Sequence, residues 1–224
     1  MRSKDFKAVL FDIDGTLLDT LQDIADSMNS ALQRLRFPIH ERDEYRYLVG
    51  DGMENLVRRA LPDSARNDPR QVSECLEIML KIYELNRNAK TRPYPGIREL
   101  LDALTARGLK MAILSNKPND FAVKVVEEFL AAWRVEVVLG ERASVPRKPD
   151  PFSALEIANR LAIEPADFLY VGDTNTDMQT ARAARMFAIG ALWGFRSADE
   201  LKKNGAQALL SVPMELCPLL DRTP

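Results

Sequence analysis

Short apolar runs recur along the chain, and amphipathic stretches separate most of them. Runs of this length predict strands that are buried on both faces. They are Ala8–Phe11, Met111–Leu114, Val135–Leu139, Phe168–Val171 and Phe187–Ile189, the last of which we take as the final strand. Between the later runs, apolar residues recur at helical spacing. Strands that alternate with helices predict a parallel sheet with helices on both faces.

The stretch between the first two predicted strands has a different pattern. No strand pattern occurs between Asp19 and Arg92, and apolar residues recur there at helical spacing. Thr20 and Asp23 resemble a capping box at the start of the first helix. Further helices are predicted at 41–48, at 51–61 and around 72–83.

The pattern therefore predicts two domains. A doubly wound, Rossmann-like α/β core comprises residues 1–18 and 93–224, and an all-helical cap comprises residues 19–92. The stiff connector 92–96, which contains two prolines and a glycine, marks the return to the core. Because the insertion follows the first strand, we expect the cap to lie over the carboxyl end of that strand and to act as a lid.

Composition narrows the classes of function. The chain has 224 residues, of which 46% are hydrophobic and 29% are charged, as in globular proteins. Its formal net charge of -2 gives no basic surface for nucleic acid or for an anionic membrane. We expect no nucleic-acid or membrane partner, and a cytoplasmic location, since the N-terminus has no signal-peptide pattern. Monomer and homodimer both stay open.

Cysteine and histidine usage excludes several kinds of site. The chain has two cysteines, far apart, and a single histidine, His40. The cysteines argue against a disulfide framework or a cysteine metal cluster, and the single histidine excludes a histidine-based triad and a multi-histidine zinc site. Any metal would be a hard ion bound by oxygen, such as Mg²⁺.

Chemically reactive residues follow four of the predicted strands. They are Asp12, Asp14 and Gly15; Ser115, Asn116 and Lys117; Lys148 in a proline-rich loop; and Asp173 with Asp177. The carboxyl ends of parallel strands meet in one crevice, where ligands bind. Carboxylates, a lysine and a hydroxyl in one crevice suit a dianionic phosphate held against Mg²⁺.

These segments resemble the four signature motifs of the haloacid dehalogenase-like phosphohydrolases. They are Asp12-Ile13-Asp14-Gly15-Thr16, Ser115-Asn116-Lys117-Pro118, Arg147-Lys148-Pro149-Asp150-Pro151 and Gly172-Asp173-Thr174-Asn175-Thr176-Asp177. The resemblance covers the whole chain, including the helical cap. Within the superfamily, the motifs and the 92–96 connector most resemble the phosphoglycolate phosphatases. The resemblance implies a Mg²⁺-dependent phosphomonoester hydrolase whose partner is a small phosphorylated metabolite, with 2-phosphoglycolate as the expected substrate.

The resemblance also implies roles for the acidic residues. Asp12 is the expected nucleophile, which forms an aspartyl-phosphate. Asp14 is the expected general acid and base. Mg²⁺ is expected to bind the Asp12 side chain, the Asp14 backbone carbonyl and the Asp173 side chain.

Other motif residues are expected to hold the phosphate. Lys148 would neutralise phosphoryl charge. The Ser115 hydroxyl, the Asn116 N–H and N–H groups near Gly15 would bind phosphoryl oxygens. Asp177 would orient Lys148 or a metal-bound water.

Specificity is expected from the cap. Gly50, Asp51 and Gly52 precede a predicted helix, whose free N–H groups could meet a substrate carboxylate. Arg58 on that helix could add positive charge. An ordinary tight turn is the competing interpretation.

Four other functions stay open. The same chemistry would serve a pyrophosphatase or a broad small-phosphate phosphatase. A sugar phosphomutase would transfer the phosphoryl group, and a catalytically silent binding protein could share the fold. The presence of both Asp12 and Asp14 argues against a silent protein.

Overall fold

A six-stranded parallel sheet forms the centre of the molecule. The computed structural model describes residues 6–221. The strands of the sheet follow the order β5-β4-β1-β6-β7-β8. Their bounds are β1 Ala8–Phe11, β4 Lys110–Pro118, β5 Val137–Glu141, β6 Phe168–Gly172, β7 Phe187–Ala191 and β8 Ala208–Leu210. The predicted doubly wound α/β fold is confirmed.

Strand β1 is central because its side chains serve both faces of the sheet. Val9 and Phe11 belong to a core cluster with α5, α6 and α10, whereas Ala8 and Leu10 pack with α7, α8 and α9. Alternation along an extended chain produces this division. The core helices are α5 Ile97–Ala106, α6 Asn119–Phe129, α7 Phe152–Leu161, α8 Asn175–Ala183, α9 Ala198–Lys203 and α10 Leu216–Leu220.

The register of β1 aligns the strand ends that carry the motifs. Phe11 lies opposite Ile113 of β4 and Val171 of β6. The residues that follow these three positions therefore meet at one edge of the sheet, as expected for parallel strands.

The cap has a hydrophobic core of its own. Its helices are α1 Leu21–Arg34, α2 Tyr45–Leu48, α3 Met53–Ala60 and α4 Pro69–Asn86. Buried apolar residues of all four helices form one cluster, which also takes in Phe195 from the core domain. Two short antiparallel strands, β2 Leu18–Asp19 and β3 Arg92–Pro93, pair where the chain leaves and re-enters the core.

The predicted capping box at Thr20 is wrong. Thr20 is the N-cap of α1, but its hydroxyl donates to Asp14 rather than serving the helix. The Asp23 carboxylate accepts hydrogen bonds from the N–H groups of Lys90 and Thr91 and from the Thr91 hydroxyl. Sequence spacing could not reveal this, because the returning segment lies close to α1 only in the folded chain. Asp23 thus ties the two ends of the cap together.

Three strand predictions need correction. Strand β4 continues through Pro118, and β5 lies two residues later than predicted. Phe187–Ile189 is not the last strand, because β8 at Ala208–Leu210 pairs with β7 at the sheet edge. A strand of three residues is too short to show a period in the sequence.

Helix α7 begins at Phe152, so Pro151 is its N-cap, while the Asp150 carboxylate accepts from the Phe152 N–H at 2.9 Å.

Within residues 6–221, no helix is both long and apolar enough to cross a membrane.

Candidate active site

A buried lysine lies at the centre of the motif residues. Lys148 Nζ donates to Asp12 Oδ1 at 2.8 Å, to Asp177 Oδ1 at 2.7 Å and to the Leu114 carbonyl at 3.2 Å. These contacts use the three donors of an ammonium group. Burial opposes the charge on Lys148, but Asp12 and Asp177 hold its pKa well above the usual value. The structure therefore brings together three residues that are far apart in the sequence.

The acidic residues of the site outnumber this lysine. Oxygens of Asp12, Asp173 and Asp177, all buried, lie within 4.8 Å of one another. Burial raises the pKa of Asp12 to about 7, although Lys148 lowers it. Burial, with the charges of Asp177 and Asp12, raises the pKa of Asp173 well above its usual value. Three carboxylates thus surround a site with one ammonium group, and the ligand atoms that they offer are all oxygen.

Such a cluster fits a hard divalent cation. Asp12 and Asp173 could each supply a carboxylate oxygen. The second oxygen of Asp12 has no hydrogen-bond partner among the described residues. Charge and donor type therefore both suit such a cation.

Asp173 is held firmly by its neighbours. Its Oδ1 accepts from the Thr16 hydroxyl at 2.7 Å, and its Oδ2 accepts from the Phe195 N–H at 2.8 Å. A Cβ on Gly15 would lie 2.3 Å from Asp173 Oδ2, and a Cβ on Gly194 would lie 2.2 Å from Asp173 Cβ. The two glycines therefore allow the backbone to approach this carboxylate closely.

Asp177 is placed to orient Lys148. Its other oxygen, Oδ2, accepts from the Thr174 N–H and hydroxyl at 3.0 and 2.6 Å. Thr174 caps α8 in return, so the two residues form a reciprocal capping box. This arrangement fixes the Asp177 side chain within the first turn of a helix.

Asp14 lies beside Asp12 but has different partners. Its Oδ1 accepts from the Thr20 hydroxyl at 2.7 Å and lies 3.1 Å from Lys117 Nζ. The sequence analysis grouped Lys117 with Ser115 and Asn116 but gave it no role. Its buried ammonium also donates to the Tyr83 hydroxyl of α4 at 2.8 Å.

Ser115 and Asn116 are both buried at the end of β4. The Ser115 hydroxyl accepts from the Lys117 N–H at 3.3 Å. The Asn116 amide donates to the carbonyls of Gly50 and Lys148 and accepts from the Lys148 N–H. The Asn116 side chain thus positions the lysine loop and joins it to the cap.

Gly15 differs from its expected use. Its N–H donates to the Leu18 carbonyl at 2.9 Å and is not free for a phosphate in this conformation. Its φ of +89° and its close approach to Asp173 explain the glycine instead.

The motif residues and the cap enclose a narrow cleft of about 30 Å³. We call its core side the floor: Asp12, Asp14, Ser115, Asn116 and Lys117. We call its cap side the roof: Ile24, Val49, Gly50, Gly52, Met53 and Leu56. In this conformation the cavity has room for little more than one or two water molecules.

Two of the predicted cap residues do not line the cleft. The Asp51 carboxylate accepts from Arg59 and from Thr176 of α8, which lowers its pKa even though burial opposes the shift. Arg58 pairs with Glu54 one turn earlier, at 2.8 Å. Gly50 and Gly52 do lie in the roof, with φ of +117° and +90°.

A segment after β7 joins the cap to the metal-ligand candidate Asp173. The Phe195 ring packs in the cap core while its N–H holds Asp173. Arg196 is buried and donates to the cap carbonyls of Arg46 and Val49. Arg46 donates back to the Gly194 carbonyl at 3.2 Å. We call the contacts of Gly194, Phe195 and Arg196 with the cap the clasp. The sequence analysis did not identify it, because its hydrogen bonds join residues about 150 positions apart.

Comparison with known families decides the classification of this fold and motif set. The family of haloacid dehalogenase-like hydrolases matches residues 9–191, most of the chain. The chain belongs to this family. The predicted recognition of the superfamily is confirmed.

Named relatives extend the likeness over nearly the full length. A phosphoglycolate phosphatase of Nitrosospira multiformis is 31% identical over 222 residues, which are 97% of this chain and 96% of that protein. One of Aquifex aeolicus is 31% identical over 215 residues, 96% and 97% of the two chains. These relatives support the predicted phosphoglycolate phosphatase branch.

Solved structures show the same fold. A protein of Lactobacillus delbrueckii subsp. bulgaricus, provisionally named a phosphoglycolate phosphatase, superposes with a TM-score of 0.90 at 29% identity. The match covers 96% of this chain and 98% of the other. The cap is therefore part of the shared architecture.

Proposed function

We propose that this member of the haloacid dehalogenase-like hydrolases is a Mg²⁺-dependent phosphatase that hydrolyses 2-phosphoglycolate through an aspartyl-phosphate. The observation that carries the proposal is the buried cluster of Asp12, Asp173 and Asp177 around a single lysine. The names of the full-length relatives support the choice of substrate.

The first step is phosphoryl transfer to Asp12. Lys148 holds the Asp12 carboxylate, and one oxygen of that carboxylate attacks the phosphorus atom while the bond to the leaving oxygen breaks. Asp14, two residues further along, gives its proton to that leaving oxygen. Mg²⁺, bound by Asp12, Asp173 and the Asp14 carbonyl, would screen the repulsion between the anionic nucleophile and the anionic phosphate.

The second step is hydrolysis. Asp14 takes a proton from a water molecule whose oxygen attacks the phosphorus, and the bond between phosphorus and Asp12 breaks. Inorganic phosphate leaves, and both carboxyl groups return to their starting states. The Ser115 hydroxyl and the Asn116 N–H are proposed to bind phosphoryl oxygens throughout.

Cap movement would separate binding from chemistry. The cleft is too small for a substrate in this conformation, so the cap would open at the β2–β3 linkers and close again. Residues 19–92 are proposed to move as this unit. The roof residues Gly50 and Gly52 are proposed to contact the part of the substrate that is not phosphate.

A substrate panel tests the proposal. Phosphate release is measured from 2-phosphoglycolate, pyrophosphate, sugar phosphates and simple alkyl phosphates, with and without Mg²⁺. We expect the highest kcat/KM for 2-phosphoglycolate, and no turnover after chelation of divalent cations. A higher kcat/KM for pyrophosphate, or equal kcat/KM values for all substrates, would overturn the assignment of 2-phosphoglycolate as the substrate. Full activity without divalent cations would overturn the proposed metal dependence.

A further inference from the structure

The floor of the cleft contains a second buried cation that the proposed chemistry leaves without a role. The Lys117 side chain has no solvent exposure. Its ammonium lies 3.1 Å from Asp14 Oδ1, 2.8 Å from the Tyr83 hydroxyl and 4.7 Å from the centre of the Tyr83 ring. Tyr83 belongs to the cap helix α4, so Lys117 touches both domains.

This lysine is charged. Its ammonium lies 3.1 Å from the Asp14 carboxylate and donates to the Tyr83 hydroxyl, as a protonated lysine does. With these two partners, Lys117 presents its positive charge at the wall of the cleft.

The other cations near the cleft are already engaged. Lys148 donates to Asp12, to Asp177 and to the Leu114 carbonyl. Arg58 and Arg59 pair with Glu54 and Asp51 outside the cleft. Among the described residues that line the cleft, Lys117 is the one with a cationic side chain.

Lys117 also has a donor to spare. An ammonium group has three donors, and the described contacts of Lys117 Nζ use two, to Asp14 and to Tyr83. The roof opposite is apolar or glycine, so it supplies no competing side-chain charge. A ligand oxygen in the cleft could take the third donor.

We propose that Lys117 is a specificity-determining residue that binds the second anionic group of the substrate, the carboxylate next to the phosphate ester. This inference rests on the proposed function and moves carboxylate recognition from the cap to the floor. Tyr83 is a positioning residue, since it reaches the substrate only through Lys117. Short phosphorylated carboxylic acids are the substrate class that this placement selects.

Substrate discrimination tests the assignment. Lys117→Met is compared with the wild type on 2-phosphoglycolate and on ethyl phosphate, which has a methyl group in place of the carboxylate. We expect the ratio of the two kcat/KM values to fall roughly 10- to 100-fold, mainly through KM for 2-phosphoglycolate, because a hydrogen bond to a charged group is lost. Lys124→Met changes a half-buried lysine that pairs with Glu84; it is the matched control and keeps the wild-type ratio.

The outcomes separate this inference from the proposed function. A parallel fall of kcat on both substrates, with an unchanged ratio, would show that Lys117 only supports Asp14. A wild type that prefers 2-phosphoglycolate, with the preference kept in Lys117→Met, overturns the assignment to Lys117 alone. A wild type with no such preference overturns the proposed substrate as well.

A binding measurement covers the case in which Lys117→Met does not fold. Lys117→Gln keeps a polar partner for Asp14 and Tyr83 but removes the charge. Calorimetry then compares phosphonoacetate with ethylphosphonate in the wild type and in this variant. We expect the wild type to bind phosphonoacetate more tightly and Lys117→Gln to lose most of that difference. Equal affinities in the wild type would overturn the inference without any variant.

Discussion

The floor and the roof of the cleft are built from opposite kinds of residue. The floor is polar or charged throughout, and a buried cluster of acids and Lys148 lies directly behind it. The roof is four apolar residues and two glycines. The four apolar roof residues belong to the hydrophobic core of the cap, whereas strands β1 and β4, which lead into the floor, contribute to the core around the sheet.

This difference suggests that the two sides of the cleft have different tasks: the floor carries out the chemistry, and the roof controls entry of the substrate. Buried charges are costly to rearrange, so they are held on rigid strand ends. The side chains of the roof carry no charge, so the roof can lift from the floor without separating an ion pair of its own. The floor should therefore decide the chemistry, and the roof should decide when the site is closed.

The largest expected effect is loss of the nucleophile in the floor. Asp12→Asn should lower kcat by about 10⁴-fold or more, because the covalent route is removed. Phosphate release under saturating 2-phosphoglycolate measures it. Asp43→Asn, an exposed cap acid, is the control and should behave as the wild type. A drop of only tenfold in Asp12→Asn would exclude Asp12 as the nucleophile.

Loss of Lys148 should affect both activity and stability. Lys148→Met leaves Asp12 and Asp177 without their shared cation, and removal of one partner from a buried ion pair costs about 3–5 kcal/mol. Urea unfolding measures the loss of stability. In the phosphate-release assay, kcat should fall at least a hundredfold. Lys110→Met, whose ammonium pairs with Glu136 at the surface, is the control. Equal stability of the two variants would contradict the buried network.

The pH dependence of stability should reveal the raised pKa of Asp12 in the acidic cluster. The pKa of Asp12 is about 7 in the folded chain without metal, above its usual value of 3.8, so the native state binds more protons between these limits. The free energy of unfolding of the metal-free protein should therefore rise as pH falls from 7 towards 4. Mg²⁺ should flatten this slope, and Asp12→Asn should reduce it. The same slope in the wild type and in Asp12→Asn would refute the assignment.

The clasp between roof and core should have a moderate effect. Arg196→Met leaves the carbonyls of Arg46 and Val49 without their donor, so the closed cap is weakened. We expect KM to rise about 5- to 10-fold, with a smaller change in kcat, from the loss of one or two hydrogen bonds. Steady-state kinetics of the variant and the wild type measure the changes in KM and kcat separately. A fall in kcat alone would show that Arg196 acts through Asp173 instead.

The smallest expected effect is at Arg58. Its guanidinium pairs with Glu54 and lies outside the cleft, so Arg58→Met should change KM by less than about 2-fold. The same assay of 2-phosphoglycolate hydrolysis applies. A tenfold rise in KM would show that Arg58 adds positive charge to the site, as the sequence analysis expected.

Local pattern was enough to predict most of the fold. The apolar run of β1 and the helical spacing in the cap predicted the right element types. A strand that is buried on both faces is a continuous apolar run, and a helix that is buried on one side has apolar residues at helical spacing. The edge strand β8 was missed since three residues carry no period. The acids and Lys148 could be grouped in advance, because parallel strands bring their carboxyl ends to one edge.

Side-chain partners were decided only by the tertiary structure. Thr20 and Asp23 fit a local capping pattern, yet their bonds go to Asp14 and to the returning chain at Thr91. Arg58 suited an anion site by charge alone, whereas Lys117, inside a strand, holds the position in the cleft. Sequence determines which groups are available and on which element they lie. Only packing of cap against core determines which charge faces which, because those contacts join residues far apart in the chain.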